Sequence, residues 1–191
     1  MTLTCLFSIY TIWRLFYLVQ NGRSFLTISE AESAISISIF FFSISFLFSA
    51  IFFIAWMYKA YKNLATFGKT DNSLALTIWG WFLPLVWYFI PFELMNEMWV
   101  KFQRGSKAQS KLSLWLWWGL CIIFPILWYM GMQEISTNFN LGITELFVSN
   151  GLALFAAILG ILVIRKITIF EQAAHAHALI EKIEGGDPST S

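Results

Sequence analysis

"WGWFLPLVWYFIPFELMNEMW", residues Trp79 to Trp99, begins apolar enough to enter a membrane, holds Pro84 and Pro91, and ends as a polar helix. Whether it crosses or turns back sets the topology of the chain, and the basic residues decide between the two. If it crosses, Lys101, Arg104, Lys107 and Lys111 fall opposite Lys59, Lys62 and Lys69, and the better orientation splits the basic residues 8 to 3. If it turns back, Lys59, Lys62, Lys69, Lys101, Arg104, Lys107, Lys111, Arg165, Lys166 and Lys182 share one side, with Arg23 alone opposite. Lys and Arg concentrate on the cytoplasmic side of membrane proteins, so the ten-to-one split favours a hairpin with both termini in the cytoplasm.

Local chemistry agrees. Pro84 and Pro91 remove two amide donors and disfavour helix at Leu83 and Ile90, which suits a break and not a straight span. Pro91 fits the first turn of a new helix, and Glu93 fits its positive end. In that helix Met95, Met98, Trp99 and Phe102 make an apolar face, with Glu93, Asn96, Glu97, Lys101 and Arg104 on the other. The stretch 73–104 is therefore expected to be a re-entrant or interfacial hairpin. If it enters the bilayer, its irregular backbone must be covered by protein.

The rest of the chain reads as membrane helix. Of 191 residues 58% are hydrophobic and 12% charged, against about 25% charged in a soluble domain, so water cannot be its only solvent. Crossings are expected at about 2–19, 30–58, 112–132 and 145–164, making an all-α polytopic bundle of four transmembrane helices plus the hairpin. The first lacks a basic lead-in and a small-residue cleavage site, and so reads as a retained helix. The second starts at a capping box of Ser29 and Glu32 and stops at Gly68; its alternating "SISISIFFFSISF" is outweighed by 38 unbroken residues, about 57 Å of helix. Pro125 should kink the third crossing. The last continues as a cytoplasmic extension, 165–184, and the 185–191 tail reads as disordered. Residues 1–184 thus form a single membrane domain.

With those elements placed, a resemblance emerges. "WMYKAYKNLATFG" (Trp56 to Gly68), "WFLP" (Trp81 to Pro84) and "PFELMNEMW" (Pro91 to Trp99) resemble a family of bacterial integral membrane proteins catalogued as a domain of unknown function, family 4328. Tyr58, Lys59, Ala60, Tyr61, Lys62, Asn63 and Leu64 match its Tyr-Arg-Ala-Tyr-Arg-Asn-Leu helix end with Lys for Arg, and Trp81, Phe82, Pro84, Pro91, Met95, Glu97 and Trp99 match the rest. Trp87 stands where the family usually has Asn. The resemblance implies an architecture and a bacterial inner-membrane location, and it supplies no activity.

Few polar groups could carry chemistry. Lys59, Lys62, Asn63, Glu93, Asn96 and Glu97 gather at the cytoplasmic side as the candidate polar site. Glu93 and Glu97 repel at i, i+4 unless neutralised, and Lys59 and Lys62 are the expected partners. The plain reading is salt-bridging that holds the hairpin to the bundle; the functional one is a headgroup, ion or proton site. Arg14, the one intramembrane cation, is expected to snorkel from a polar stripe with Tyr10, Thr11 and Tyr17, with Glu32 and Glu145 as candidate partners. His175 and His177 point apart on a helix and make a poor chelate, so no metal is expected; their i, i+4 spacings to Glu171 and Glu181 suggest solvated contacts. Cys5 and Cys121 lie in separate apolar runs and read as fillers. Ser149, Ala153, Ala156, Ala157 and Gly160 form a small-residue packing face. Ile169, Ala173, Ala176, Ile180 and Ile183, spaced 4, 3, 4, 3, form a short coiled-coil seam, expected to meet the end of the second helix near Tyr61 and Leu64 or its own copy.

No catalytic residue, cofactor or nucleic-acid partner is expected. The partners are the lipid bilayer and, through 165–184, a homo-oligomer or another membrane protein. The leading functional reading is a non-enzymatic interaction or assembly subunit; the alternatives are a small-solute or ion transporter or channel component, then a lipid-acting enzyme. Reporters fused after Ala65, Ser106 and Gly186 should all read cytoplasm and one at Phe139 the outside; an external signal at Ser106 refutes the hairpin.

Overall fold

The computed structural model describes residues 10, 13–14, 17, 25–68, 70–83, 86–103, 109–134 and 137–184, and among them every regular element is helical. In chain order these are α1 (Phe25–Thr66), α2 (Leu76–Trp79), a 3-10 turn (Val86–Tyr88), α3 (Ile90–Lys101), α4 (Leu112–Glu134) and α5 (Phe139–Glu184). Three helices are long and apolar enough to cross a membrane, over Ile39–Thr66, Leu112–Glu134 and Asn140–Glu181. The expected crossing at 2–19 and the 185–191 tail lie outside the described residues, apart from Tyr10, Trp13, Arg14 and Tyr17, which are helical and exposed.

Helix ends depart from expectation where a local signal was misjudged. α1 begins at Phe25, so Ser29 is a residue of its second turn and not its cap. Nothing in "FLTI" stops a helix from propagating back past Ser29, at a cost of only tenths of a kcal/mol per residue. The far end stops as read: Gly68 has φ 154°, a conformation that L side chains avoid. α5 starts at Phe139 because Asn138 Oδ1 accepts from the Leu141 amide at 3.2 Å, an N-cap six residues before the expected start. α4 stays helical through Pro125.

The chain divides into two compact units. One takes residues 1–52 and 116–160, the other 53–115 and 161–191.

In the first unit α4 and α5 form an antiparallel pair. A Cβ at Gly131 would lie 3.0 Å from the Gly142 carbonyl and 3.0 Å from the Leu146 amide. Two turns back along α4, the Phe124 carbonyl, just before Pro125, accepts the Ser149 hydroxyl at 2.7 Å. Nearer its start, Trp117 Nε1 lies 2.7 Å from the Cβ position of Gly160. Each step back along α4 thus meets a step forward along α5, and the contacts fall on Ser149, Ala153, Ala156 and Gly160, all buried, with Ala157 half-buried. Small residues let the backbones approach where lipid supplies no hydrophobic drive. Elsewhere the apolar surface is open: Phe40, Leu47, Phe48 and Phe52 of α1 are 58–72% exposed, as suits a hydrocarbon solvent.

In the second unit, α3 supplies the core. Leu94, Met95, Met98 and Trp99 are fully buried, with Met57, Tyr61 and Leu64 of α1 and Val163, Ile167 and Phe170 of α5. Trp99 meets Phe170 edge-on at 5.3 Å and lies under Lys166 Nζ at 5.7 Å. The stretch before α3 is broken into a four-residue helix and a 3-10 turn. A Cβ at Gly80 would lie 2.8 Å from Ile90 Cγ2, so this glycine permits the close return. Trp81 reaches α1, edge-on to Phe53 at 5.6 Å.

The ends of α1 and α5 do meet, but through a face neighbouring the predicted seam. Asn63 Nδ2 donates to Glu171 Oε1 at 2.6 Å, and Phe67 packs against His175 at 4.5 Å, while Ile169, Ala173, Ala176, Ile180 and Ile183 are exposed. Phe170, larger than any seam residue, buries more apolar area against Trp99 and sets the rotation of the helix.

Two glycines test the packing. Gly131→Ala should cost about 1–3 kcal/mol through overpacking against α5 backbone. Gly151→Ala, with nothing within 4 Å of the new Cβ, should gain up to about 1 kcal/mol of helix propensity. Thermal melting in detergent checks both signs.

Candidate functional site

The site forms where the end of α1, the turn after Gly68 and the middle of α3 meet. α1 carries Tyr61 to this level with its ring buried, and α3 places Glu97 one turn before Lys101. Between them Asp71 and Asn72, residues that favour turns, bring backbone donors across.

Glu97 is the centre. Its side chain is only 5% exposed, yet both oxygens are served twice. Oε1 accepts from Lys101 Nζ at 2.7 Å and from the Asp71 amide at 2.7 Å. Oε2 accepts from the Tyr61 hydroxyl at 2.7 Å and from Asn72 Nδ2 at 3.3 Å. A carboxylate has about four acceptor sites, so this one is saturated. Tyr61 in turn accepts from the Asn72 amide at 3.1 Å, and Lys101 reaches Asp71 Oδ1 at 2.9 Å, closing the network.

Electrostatics follow from those contacts. Burial alone would raise the pKa of Glu97, but Lys101, the Asp71 amide, Tyr61 and Asn72 together outweigh it and hold the carboxyl below its ordinary value of 4.5. For Lys101 burial acts to lower the pKa, and its bonds to Glu97 and Asp71 raise it overall. The pair is charged across neutral pH.

Of the residues singled out from sequence, Glu93, Asn96 and Glu97 come together. With Asp71, Asn72, Val100 and Lys101 they line a cleft of about 230 Å³. Glu97, expected on the polar outer face of its helix, is instead buried beneath the 71–72 turn. Lys59 and Lys62 are exposed, and the cation that Glu97 takes is Lys101. Lys101 is the cheaper partner: it sits one turn along the same helix, carboxylate first, the favourable order for such a pair. Asn63 is spent on Glu171, which is therefore more than a solvated neighbour of His175. Arg14 belongs to the other unit, where it is exposed, and among the described residues no ion pair joins it to Glu145. The side chain of Glu32 lies outside the described residues.

Tyr61, Asp71, Asn72 and Lys101 were not read as Glu97's partners. The i, i+4 spacing from Glu97 to Lys101 was visible; the fold-back of the turn onto Tyr61 was not. Among the described residues no three His, Cys, Asp or Glu side chains approach closely enough to hold a metal ion. The cleft can offer hydrogen bonds and the carboxylates of Glu93 and Asp71 to a polar group.

If Glu97 and Lys101 act as a unit, Lys101→Ala should cost about 3 kcal/mol by stranding a buried charge, whereas Lys59→Ala and Lys62→Ala should stay within about 0.5 kcal/mol. The pH sign is fixed by direction. A carboxyl whose pKa falls on folding contributes stability above its unfolded value of 4.5, lost as pH drops through the folded value. Lys101, raised on folding, contributes below 10.5 and loses this as pH climbs through its folded value. Detergent melting temperatures should therefore fall on acidification below 4.5, less steeply in Glu97→Gln.

Residues 25–169 match the family described as Domain of unknown function (DUF4328). No curated protein and no solved structure matches the chain.

Proposed function

We propose that this chain, which belongs to that domain-of-unknown-function family, is a non-enzymatic interaction or assembly subunit of the bacterial inner membrane. The observation that carries the reading is the saturation of Glu97: the most buried charged group of the site spends all its acceptor capacity on the chain's own donors. A general base or an ion ligand needs a free lone pair facing its substrate. Glu97 acts instead as a clamp that fixes hairpin, turn and helix end in one arrangement. Where polar groups are consumed in this way, surface is what the molecule has to offer.

The topology that goes with this role has four crossings, the first at 2–19, with both termini cytoplasmic. The hairpin reading of 73–104 is supported by the shortness of its helices. The longest, α3, has 12 residues and spans about 18 Å, against a hydrocarbon core of about 30 Å. It is supported as well by the full burial of Leu94, Met95, Met98 and Trp99 in protein, the cover that irregular backbone at membrane depth requires.

Purified in mild detergent, the protein should retain a partner, its own copy or another chain, in fixed ratio. Reconstituted in liposomes, it should carry no ion current above protein-free vesicles. A current abolished by Glu93→Gln would overturn the assembly reading in favour of a channel lined by the cleft.

A further inference from the structure

Past Phe170 the apolar residues of α5 lose their cover. Val163 and Ile167 are fully buried and Phe170 is 7% exposed, whereas Ile169, Leu179, Ile180 and Ile183 are 50–71% exposed, with Ala173 and Ala176 open between them. Within a span such a face would meet lipid. Here it follows the uncharged run 146–164 and is flanked by Arg165, Lys166, Glu171 and Glu181, so in the topology proposed above it stands in water.

What covers it is constrained by the helix itself. α5 runs unbroken from Phe139 to Glu184, so its end continues the direction of the span and cannot lie down on the bilayer. The end of α1 is taken by the neighbouring face, through Asn63 on Glu171 and Phe67 on His175, and Gly68 turns the chain away. The occupant is therefore another molecule, presenting an apolar helix parallel to this one and at the same height. Every copy of this chain, inserted the same way, presents one.

We propose that Ile169, Ala173, Ala176, Ile180 and Ile183 form the seam of a parallel two-stranded coil between two copies of this chain. The 4, 3, 4, 3 spacing is the heptad pattern, and a two-fold axis along the membrane normal sets each seam residue opposite its own copy. Leu179 flanks the seam and is covered by the same contact; Ala178 points outward. Ala173 and Ala176 let the helices close at the end nearer the membrane. Two heptads would not hold free helices together in water, but the spans keep both copies in one plane at high effective concentration. The proposal rests on the assembly reading and names its partner.

With Cys5 and Cys121 replaced by Ser, single cysteines at Ala173, Ala176, Ile180, Ile183 and, as control, Ala178 are oxidised mildly in native membranes. The expected result is a product of twice the 22.0 kDa chain mass at the four seam positions, several-fold above Ala178. Ile180→Asp should abolish the Ala176→Cys product and Ile180→Leu should keep it; an unchanged melting temperature shows that the exposed substitution leaves the fold intact. Equal products at Ala178, a product of any other mass, or none, overturns the proposal. If the chain then still co-purifies in fixed ratio with a different protein, the assembly reading survives without the homodimer; only the liposome current ends that reading.

Discussion

A buried carboxylate must be neutralised or hydrogen-bonded on every side, and at Glu97 that requirement organises a third of the described chain. Its four donors come from three places: Tyr61 from the end of α1, Asp71 and Asn72 from the turn, and Lys101 from its own helix. Removing any one leaves a desolvated oxygen short of a donor, which costs more than the bond itself contributes when made. The turn, the hairpin and the helix end are thus interdependent. The apolar layer beneath, Met95 and Met98 against Met57 and Leu64, would pack in several rotations; the polar network selects one.

How far sequence alone reached depends on the range of each cause. The α3 face of Met95, Met98, Trp99 and Phe102 was legible because helical periodicity is local, and all four are buried. The small-residue face of α5 was legible because close approach demands small side chains wherever the partner comes from. The Gly68 stop was legible because only glycine takes that backbone angle easily. Glu97 was singled out, but its burial was not, since helical spacing placed it with the polar residues and only the return of the 71–72 turn covers it. Lys59 and Lys62 were assigned to it on depth along the chain, and depth does not specify rotation about the helix. The seam of Ile169 to Ile183 satisfies the heptad spacing, yet Phe170 decides which side faces inward, because an aromatic buries more area than alanines and isoleucines that alternate with it.

The two segments that carry the family pattern meet at the site. Tyr61 belongs to the "YKAYKNL" helix end and Glu97 to "PFELMNEMW", 36 residues apart in sequence and joined by a 2.7 Å hydrogen bond. A pattern that looked like two motifs is one contact. Asn63 and Trp99 extend it, one to Glu171 and the other to Phe170, so the same two segments also fix where α5 lies in that unit.

The unbroken course of α5 has a mechanical side. A helix of 46 residues is about 69 Å long, and with roughly 20 residues in the hydrocarbon and 20 beyond it the projecting arm is about 30 Å. A change of tilt of about 10°, well inside the range that transmembrane helices adopt, would sweep the tip by about 5 Å. Bilayer thickness, which biases tilt, is thereby converted into a lateral displacement on the cytoplasmic side, and a stiff rod with no Gly or Pro between Gly160 and Glu184 loses little of it on the way.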